Sequence, residues 1–344
     1  MLHESISTTQ NLNAAVMWMI FTIFVGIALS IDLGIIGKIR GVYARGQKEK
    51  EEFSVAKKVR STNGALAWTI IWISLGLIFA GLIYLDMGYG KLLEYITGYT
   101  LEKTLSVDNM FVFLLIFSSL AIPHRYQHKV LSVGILSAIA MRIPLIIAGV
   151  SLLEAFHWMI YVFGAFLIYT AIRMFMQKKQ EKIEVEKNIA VRALRKIMPV
   201  EVSINTDKFL LRQNGVLFAT PLLVALVIVE MTDLVFALDS IPAVLAITSD
   251  PFIVITSNIF AIFGLRSLYF LLSSSMEKFY YLKPALTALL FFIGFKMLLS
   301  ELYDIPIELS LAIICSILGV SIALSYMRTR TADQQRTPSS DRIE

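Results

Sequence analysis

Three carboxylates lie in one of the most apolar segments of the chain, residues 227–242, which read VIVEMTDLVFALDSIP. Glu230 and Asp233 are three residues apart and therefore share one face of a helix. Asp239 lies about half a turn away from Glu230 on a regular helix. An ionisable side chain at the centre of a bilayer costs about 2.5–3.5 kcal/mol on insertion scales, so each of these acids requires a partner or a function.

Pro242 follows this segment closely and predicts a kink or a break beside Asp239, because it removes the backbone hydrogen bond to the carbonyl of Leu238. A break would turn Asp239 back toward the other acids and release a carbonyl oxygen as a ligand. On an unbroken helix Asp239 faces another side. The sequence leaves both geometries open.

A second acidic motif resembles the first. The segment SVDNMFVF, which contains Asp108, aligns with MTDLVFAL, which contains Asp233. Arg142 follows 34 residues after Asp108, and Arg266 follows 33 residues after Asp233. This spacing predicts an inverted repeat, the arrangement in which many transporters bind their substrate near the bilayer midplane.

Other polar residues accompany the two motifs. Asn109 falls on the same helical face as Glu102. Glu102 is expected near the outer surface, either as a ligand or as a solvated acid. Asp32 is either a further ligand or a helix-end acid paired with Lys38, and the pairing is the simpler interpretation.

Acids outnumber bases inside the apolar runs, which favours cation binding over internal ion pairing. The acids are Asp32, Asp108, Glu230, Asp233 and Asp239, and the bases are Arg142, Arg266 and Lys296. Pairing alone would leave negative charge uncompensated. Carboxylates, an Asn side chain and freed carbonyls are hard oxygen donors, which suit Mg, Ca or Mn.

Sulfur and nitrogen ligands are less prominent near these acids. Met110 and Met231 adjoin them in sequence, and a thioether ligand would favour Mn, but helical spacing favours methionines that pack on a different face. Zinc and copper are not expected, because the histidines lie outside the apolar runs or stand alone; these are His3, His124, His128 and His157.

Enzyme classes find little support in the sequence. The apolar runs hold no Ser/His pair, no phosphate-binding Gly-rich loop and no GxGD segment typical of intramembrane aspartyl proteases. Two facing aspartates leave a protease dyad chemically open. We therefore expect a protein that is not an enzyme and that carries no prosthetic group.

The elements that must position these residues are membrane-spanning helices. Hydrophobic residues make up 57% of the 344 and charged residues 17%, with a mean hydropathy of +0.71, whereas a soluble chain carries about 25% charged residues. The single cysteine, Cys315, excludes an intrachain disulfide. We predict an all-α polytopic membrane protein with about nine spans: 14–36, 65–86, 104–122, 130–150, 155–176, 216–248, 251–272, 282–302 and 307–327.

Basic residues concentrate in alternate loops, which predicts an outer N-terminus and a cytoplasmic C-terminus. The net charge of +5 is therefore a topology signal and not a nucleic-acid patch. The predicted divisions are an N-terminal membrane half, 1–176, a cytoplasmic linker, 177–214, a C-terminal membrane half, 215–327, and a disordered cytoplasmic tail, 328–344.

Two long segments carry a resemblance to a known family. Both segments resemble the TerC family, and within it the Alx branch. The first is TGYTLEKTLSVDNMFVF at 97–113, and the second is FATPLLVALVIVEMTDLVFALDSIP with its continuation to residue 272. The resemblance implies metal-ion transport, chiefly manganese export across the bacterial cytoplasmic membrane. The family's motif residues carry over to Glu102, Asp108, Asn109, Glu230, Asp233, Asp239 and Ser240, with Asn258 and Arg266 in the continuation of the second motif.

We therefore expect an inner-membrane exporter of Mn(II) that works by alternating access. Asp108 and Asp233 would be central ligands, with Glu230, Asp239 and Asn109 completing or gating the site. The arginines would offset the charge of the empty site, and protons are the expected exchanging ion, because clustered carboxylates can trade protons for metal. The alternative is a membrane partner that binds or delivers metal within a stress-response or secretion complex and does not transport it.

Overall fold

The computed structural model describes residues 2–32, 62–176, 189–200, 207–273, 281–303 and 305–336. Within them the chain is helical apart from one short hairpin, which confirms the all-α membrane class. The elements are α1 Leu2–Asp32, α2 Thr62–Ser119, α3 His124–Ala155, α4 Met159–Met176, α5 Ile189–Ile197, β1 Leu210–Gln213, β2 Val216–Ala219, α6 Pro221–Leu245, α7 Pro251–Ile262, α8 Leu265–Ser273, α9 Leu282–Leu299 and α10 Ile307–Arg336.

The number of spans differs from the prediction. Among the described residues, seven helices are long and apolar enough to cross a membrane, or up to eight if α7 and α8 form one bent span. The predicted nine are therefore not confirmed. The difference lies in the 56-residue candidate at 64–119, which contains two of the predicted spans. It corresponds to about 84 Å of helix against a hydrocarbon core of about 30 Å.

Two glycines interrupt the helices where the site is built. Gly88 has φ 85° and divides α2 into α2a, residues 62–87, and α2b, residues 89–119. Gly264 has φ 80° and separates α7 from α8, which meet at a bend of 40°. A Cβ at Gly264 would lie 2.7 Å from the Cβ of Trp72, so both the backbone conformation and the neighbouring indole require glycine there.

The helix that carries Glu230 and Asp233 begins later than predicted. Residues 216–219 form β2, paired antiparallel with β1 across Asn214 and Gly215. Both turn residues have positive φ, as a two-residue type I′ turn requires. Pro221 then occupies the first turn of α6, where its missing N–H costs nothing. Pro242 lies inside α6, which continues to Leu245, so the predicted break beside Asp239 is absent.

The helices pack into one core around the acidic segments. Helices α4 and α9 approach closely at Gly164 and Gly294, where a Cβ at Gly294 would lie 2.8 Å from the carbonyl oxygen of Gly164. Small residues allow such close contact between membrane helices. Aromatic rings join α1, α2 and α7, with Phe79 stacked on Phe260 at 4.6 Å between centroids. Helix α2 thereby becomes a fixed neighbour of α7.

Several helices and strands lie within or across the predicted domain boundaries. Helix α5 and strand β1 lie inside the predicted linker 177–214, and α10 continues to Arg336, beyond the predicted end of the last span. Residues 177–188, 201–206 and 337–344 of these segments lie outside the described part of the chain. The orientation in the membrane and the inverted repeat stay predictions.

Candidate cation site

One arginine gathers two acids and an amide from three other helices. Arg142, on α3, is 1% exposed. Its Nε and Nη2 donate to the two carboxylate oxygens of Asp233 on α6, at 3.3 Å and 2.9 Å. Its Nη1 donates to Glu102 of α2b and, at 3.2 Å, to the side-chain oxygen of Asn258 on α7. Four elements therefore converge on one guanidinium, which we call the Arg142 cluster: Arg142, Glu102, Asp233 and Asn258.

The Arg142 cluster holds more negative than positive charge. Two buried carboxylates face one guanidinium, so the group carries a net charge of −1 when both acids are ionised. Glu102 is fully buried, which excludes the solvated acid that the sequence left as an alternative. Its second oxygen and the Asn258 amide nitrogen are buried without a hydrogen-bond partner among the described residues. Unpartnered polar atoms in a buried site are costly, so the cluster has unused capacity for a ligand.

Glu230 lies beside this cluster and faces α3. The Ser137 hydroxyl donates to one oxygen of Glu230 at 2.5 Å, and the other oxygen has no hydrogen-bond partner in the described structure. Gly134 leaves room for the carboxylate, because a Cβ there would lie 3.3 Å from it. Glu230 and Asp233 therefore share a helical face, as their spacing predicts.

A small cavity opens between these acids and the helix break. Glu230, Asp233, Arg266 and Met110 line it together with apolar side chains of α2b, α3 and α6–α8. The space open to the centre of a water molecule is ≈ 20 Å³, which accommodates about one water or one bare ion. The sequence favoured a packing role for both methionines. Met231 is 47% exposed, but Met110 is buried and borders the cavity.

Asp108 and Asn109 lie further along α2b. Asn109 is buried, whereas Asp108 is partly exposed and is attracted by the charge of Lys283. Asp108 neither hydrogen-bonds to the Arg142 cluster nor lines the cavity in the described structure. The reason is helical geometry: Glu102 and Asp108 are six residues apart, which is about 240° around the axis. One helix cannot direct both at the same arginine.

Asp239 and Ser240 also lie apart from the cluster. Asp239 follows Asp233 by six residues and turns toward α4, where the Thr170 hydroxyl donates to it at 3.1 Å. Ser240 is buried, and its hydroxyl has no partner among the described residues. Because α6 is unbroken at Pro242, the structure has the second of the two geometries that the sequence left open, in which Asp239 faces away from the other acids.

The second arginine pairs with a different acid. An Nη atom of Arg266 on α8 lies 3.2 Å from a carboxylate oxygen of Asp32 on α1, and another donates to the Ser132 hydroxyl at 3.0 Å. Asp32 is 2% exposed. Its predicted alternative partner, Lys38, lies outside the described residues. We call these three side chains, Arg266, Asp32 and Ser132, the Arg266 cluster.

The described residues contain no group of three or more His, Cys, Asp or Glu side chains that could hold a metal ion as they stand. The guanidinium occupies the place between Glu102 and Asp233 instead. An arginine that is paired with two acids acts as a cation tethered to the protein. A free cation can take its place only if the arginine side chain moves away. The geometry therefore shows two buried carboxylates paired with one arginine.

Sequence reasoning missed the hydroxyls and one lysine. Ser132, Ser137 and Thr170 each contact a charged side chain of the motifs, but isolated hydroxyls in apolar helices give no specific signal. Lys103 was assigned to a loop because the third span was predicted to begin at residue 104. Extending that span by one turn would have placed Glu102 and Lys103 inside it together.

The fold and the site define a polytopic membrane protein with a buried arginine–carboxylate centre. A model of the family described as integral membrane protein TerC matches residues 87–333. This chain therefore belongs to the TerC family. No solved structure matches it.

Relatives resemble it along nearly the whole chain. A protein of Myxococcus xanthus described as an uncharacterized membrane protein is 45% identical over 94% of this chain and 95% of its own length. A protein of Escherichia coli (strain K12), "Putative membrane-bound redox modulator Alx", is 40% identical over 93% of this chain and 97% of its own length. Another from Rickettsia bellii, described as an uncharacterized membrane protein, is 35% identical over 92% and 99%.

Proposed function

We propose that this protein exports Mn(II) from the cytoplasm across the bacterial inner membrane. The observation that carries the proposal is the Arg142 cluster, in which one tethered cation is held by two buried carboxylates from different helices. A permanent structural pair needs only one acid. An excess acid, together with a neighbouring Glu230, suits a site that alternates between the guanidinium and a divalent ion.

The proposed cycle exchanges Mn(II) for the guanidinium. When Arg142 swings away, Glu102, Asp233 and Glu230 together supply up to three negative charges and six carboxylate oxygens. Such oxygen ligands suit a hard divalent cation. When the ion leaves, Arg142 returns and restores the compensation of buried charge. Protons are the proposed exchanging ion, and Glu230 is the candidate carrier because it lies at the cavity.

Selectivity for Mn(II) over Mg(II) and Ca(II) would come from Met110. Its side chain borders the same cavity as Glu230 and Asp233. A thioether is a soft donor, so it adds affinity for a transition metal and little for an alkaline-earth ion. The other ligands are hard oxygens that do not distinguish these ions strongly.

The alternative function is a membrane protein that binds metal at the same acids and passes it to a partner. Both functions predict Mn(II) binding, and only export predicts movement across the bilayer. A flux measurement therefore separates them.

The test is Mn(II) uptake into proteoliposomes that contain a Mn(II)-sensitive dye and the purified full chain. Wild type is expected to transport, and Asp233→Asn is expected to lose at least about tenfold in rate, because neutralising one acid leaves a neutral Arg142–Glu102 pair. The control is Glu154→Gln, which neutralises an exposed acid at the end of α3 and should transport like wild type. Mn(II) binding without any flux by wild type would contradict export and support the delivery function.

A further inference from the structure

A partly buried lysine lies against the end of a broken helix. The ammonium of Lys103 on α2b donates to the main-chain carbonyl oxygens of Ala261, at 3.0 Å, and Phe263, at 2.8 Å. Helix α7 ends at Ile262 between them. The last carbonyls of a helix have no intrahelical N–H partner, and they carry the negative end of the helix dipole. A positive charge at this point therefore meets a concentrated partial negative charge.

The helix end is fixed in place by its surroundings. Gly264, directly after Phe263, adopts φ 80° and packs against Trp72, and Phe263 stacks on the same indole at 5.5 Å between centroids. Packing on Trp72 thus supports the bend between α7 and α8 together with Lys103, and the bend directs the two carbonyl oxygens at the Lys103 ammonium. Preorganised carbonyl oxygens are the ligands that cations use at broken membrane helices.

The position of this lysine links it to both arginine clusters. Lys103 follows Glu102, which holds Arg142, so adjacent residues of α2b contact two different elements. The helix that Lys103 caps carries Asn258, and the helix after the bend carries Arg266. Along the chain, the end of α7 therefore lies between Asn258 of the Arg142 cluster and Arg266 of the Arg266 cluster. Lys103 itself belongs to neither cluster.

We propose that the carbonyl oxygens of Ala261 and Phe263 form a monovalent-cation site that the Lys103 ammonium fills permanently. The side chain replaces a bound Na⁺ or K⁺, so the α7–α8 bend needs no ion from solution. Removal of the ammonium converts this position into a site that takes a free monovalent cation. The proposal goes beyond transport and does not depend on it.

The experiment measures the thermal unfolding midpoint, Tm, of the purified full chain in NaCl, KCl or choline chloride at equal ionic strength. Choline is too large to bind between the two carbonyl oxygens, so the Tm in choline chloride is that of the protein with this position empty. Wild type should show the same Tm in all three salts. Lys103→Ala should unfold at a lower Tm in choline chloride, and NaCl or KCl should raise that Tm saturably, by about 2 °C or more, because an ion that binds only the folded state stabilises it.

Two further variants separate ion binding from lost packing. Lys103→Met fills the position with an uncharged group, so it should be destabilised equally in all three salts. Lys129→Ala is the matched control, because Lys129 also donates to a main-chain carbonyl, that of Asp207, but at an exposed site; it should show no cation-specific change.

A Tm of Lys103→Ala that is independent of the cation would overturn the proposal, as would an equal response of Lys103→Met. Should Lys103→Ala not fold, Lys103→Ser is measured in the same three salts. Its short, uncharged side chain leaves the carbonyl oxygens open, so the absence of a Na⁺- or K⁺-specific rise in its Tm would equally contradict the proposal.

Discussion

The two arginine clusters look alike in sequence and differ in charge. Arg142 and Arg266 follow their aspartates at nearly the same spacing, yet Arg142 holds two carboxylates and Arg266 holds one. The Arg142 cluster also receives an Asn side chain, whereas the Arg266 cluster receives a Ser hydroxyl. The first group therefore retains negative charge, and the second is electrically balanced when its groups are ionised.

This difference separates two uses of a buried ion pair. A balanced pair such as Arg266–Asp32 fixes helices relative to each other, and breaking it leaves an uncompensated buried charge. A group with an extra acid carries a net negative charge when both acids are ionised, which makes it suitable for a cation. We therefore propose that the Arg142 cluster binds the cation and that the Arg266 cluster positions the helices.

The largest expected effect comes from removing each arginine. Arg142→Gln leaves two buried carboxylates unpaired, and we expect a loss of folding stability of about 3–5 kcal/mol. Saturating Mn(II) should recover much of this loss, because the metal replaces the missing charge. Arg266→Gln should also be destabilised, but Mn(II) should stabilise it no more than wild type. Tm measured with and without Mn(II) checks both, and equal recovery by the two variants would remove the distinction between the clusters.

The next effect comes from removing one acid of each cluster. Glu102→Gln should weaken Mn(II) binding by at least about tenfold, since it removes one of the carboxylates that balance the ion. Asp32→Asn should lower stability and leave the Mn(II) dissociation constant within about threefold of wild type. Isothermal titration calorimetry on folded protein measures both constants. Weaker binding by Asp32→Asn than by Glu102→Gln would reverse our assignment.

Smaller effects are expected from the hydroxyls. Ser137→Ala removes the hydrogen bond to Glu230, and a bond of this kind is worth about 1 kcal/mol, so the KM for Mn(II) should change by about fivefold. Ser132→Ala removes a bond to Arg266 and should change Tm while leaving KM unaltered. Transport rates as a function of Mn(II) concentration distinguish them. A larger change in KM for Ser132→Ala would connect Arg266 to the substrate.

The smallest effect concerns selectivity. Met110→Leu keeps the volume of the side chain but removes the thioether, so the preference for Mn(II) over Mg(II) should fall by about three- to fivefold with little loss of stability. Met231→Leu is the matched control because Met231 is exposed. Competition of Mg(II) with Mn(II) uptake measures the preference, and an unchanged ratio in Met110→Leu would exclude a ligand role for sulfur.

Helical periodicity predicted part of this site. The spacing of Glu230 and Asp233 places them on one face, and both line the cavity. Periodicity also explains why the repeat did not predict the partners of Arg142. Glu102 and Asp108 are six residues apart and face different sides of their helix, and the same holds for Asp233 and Asp239. The sequence alignment of Asp108 with Asp233 could not show which member of each pair meets an arginine. That choice depends on how α2b and α6 rotate against α3, which is a property of packing.

Breaks in the helices were harder to predict than the spans. Pro242 predicted a break that α6 does not have, since the helix ends within one turn and the missing hydrogen bond falls at its margin. In the described residues the helices break at Gly88 and Gly264, which both have positive φ. At Gly264 the break is supported by packing against Trp72, which only the folded chain supplies. The hairpin turn at Asn214 and Gly215 is an irregular feature that its residues do indicate locally, because Asn-Gly favours a type I′ turn.

The most direct test of the central claim is the position of bound Mn(II) in a crystal, located by anomalous scattering at the manganese absorption edge. We predict a single strong peak in the cavity bounded by Glu230, Asp233 and Met110, with the Arg142 guanidinium displaced from Asp233. A peak beside Asp32 and Arg266, or beside Asp108, with Arg142 still bound to Asp233, would contradict it.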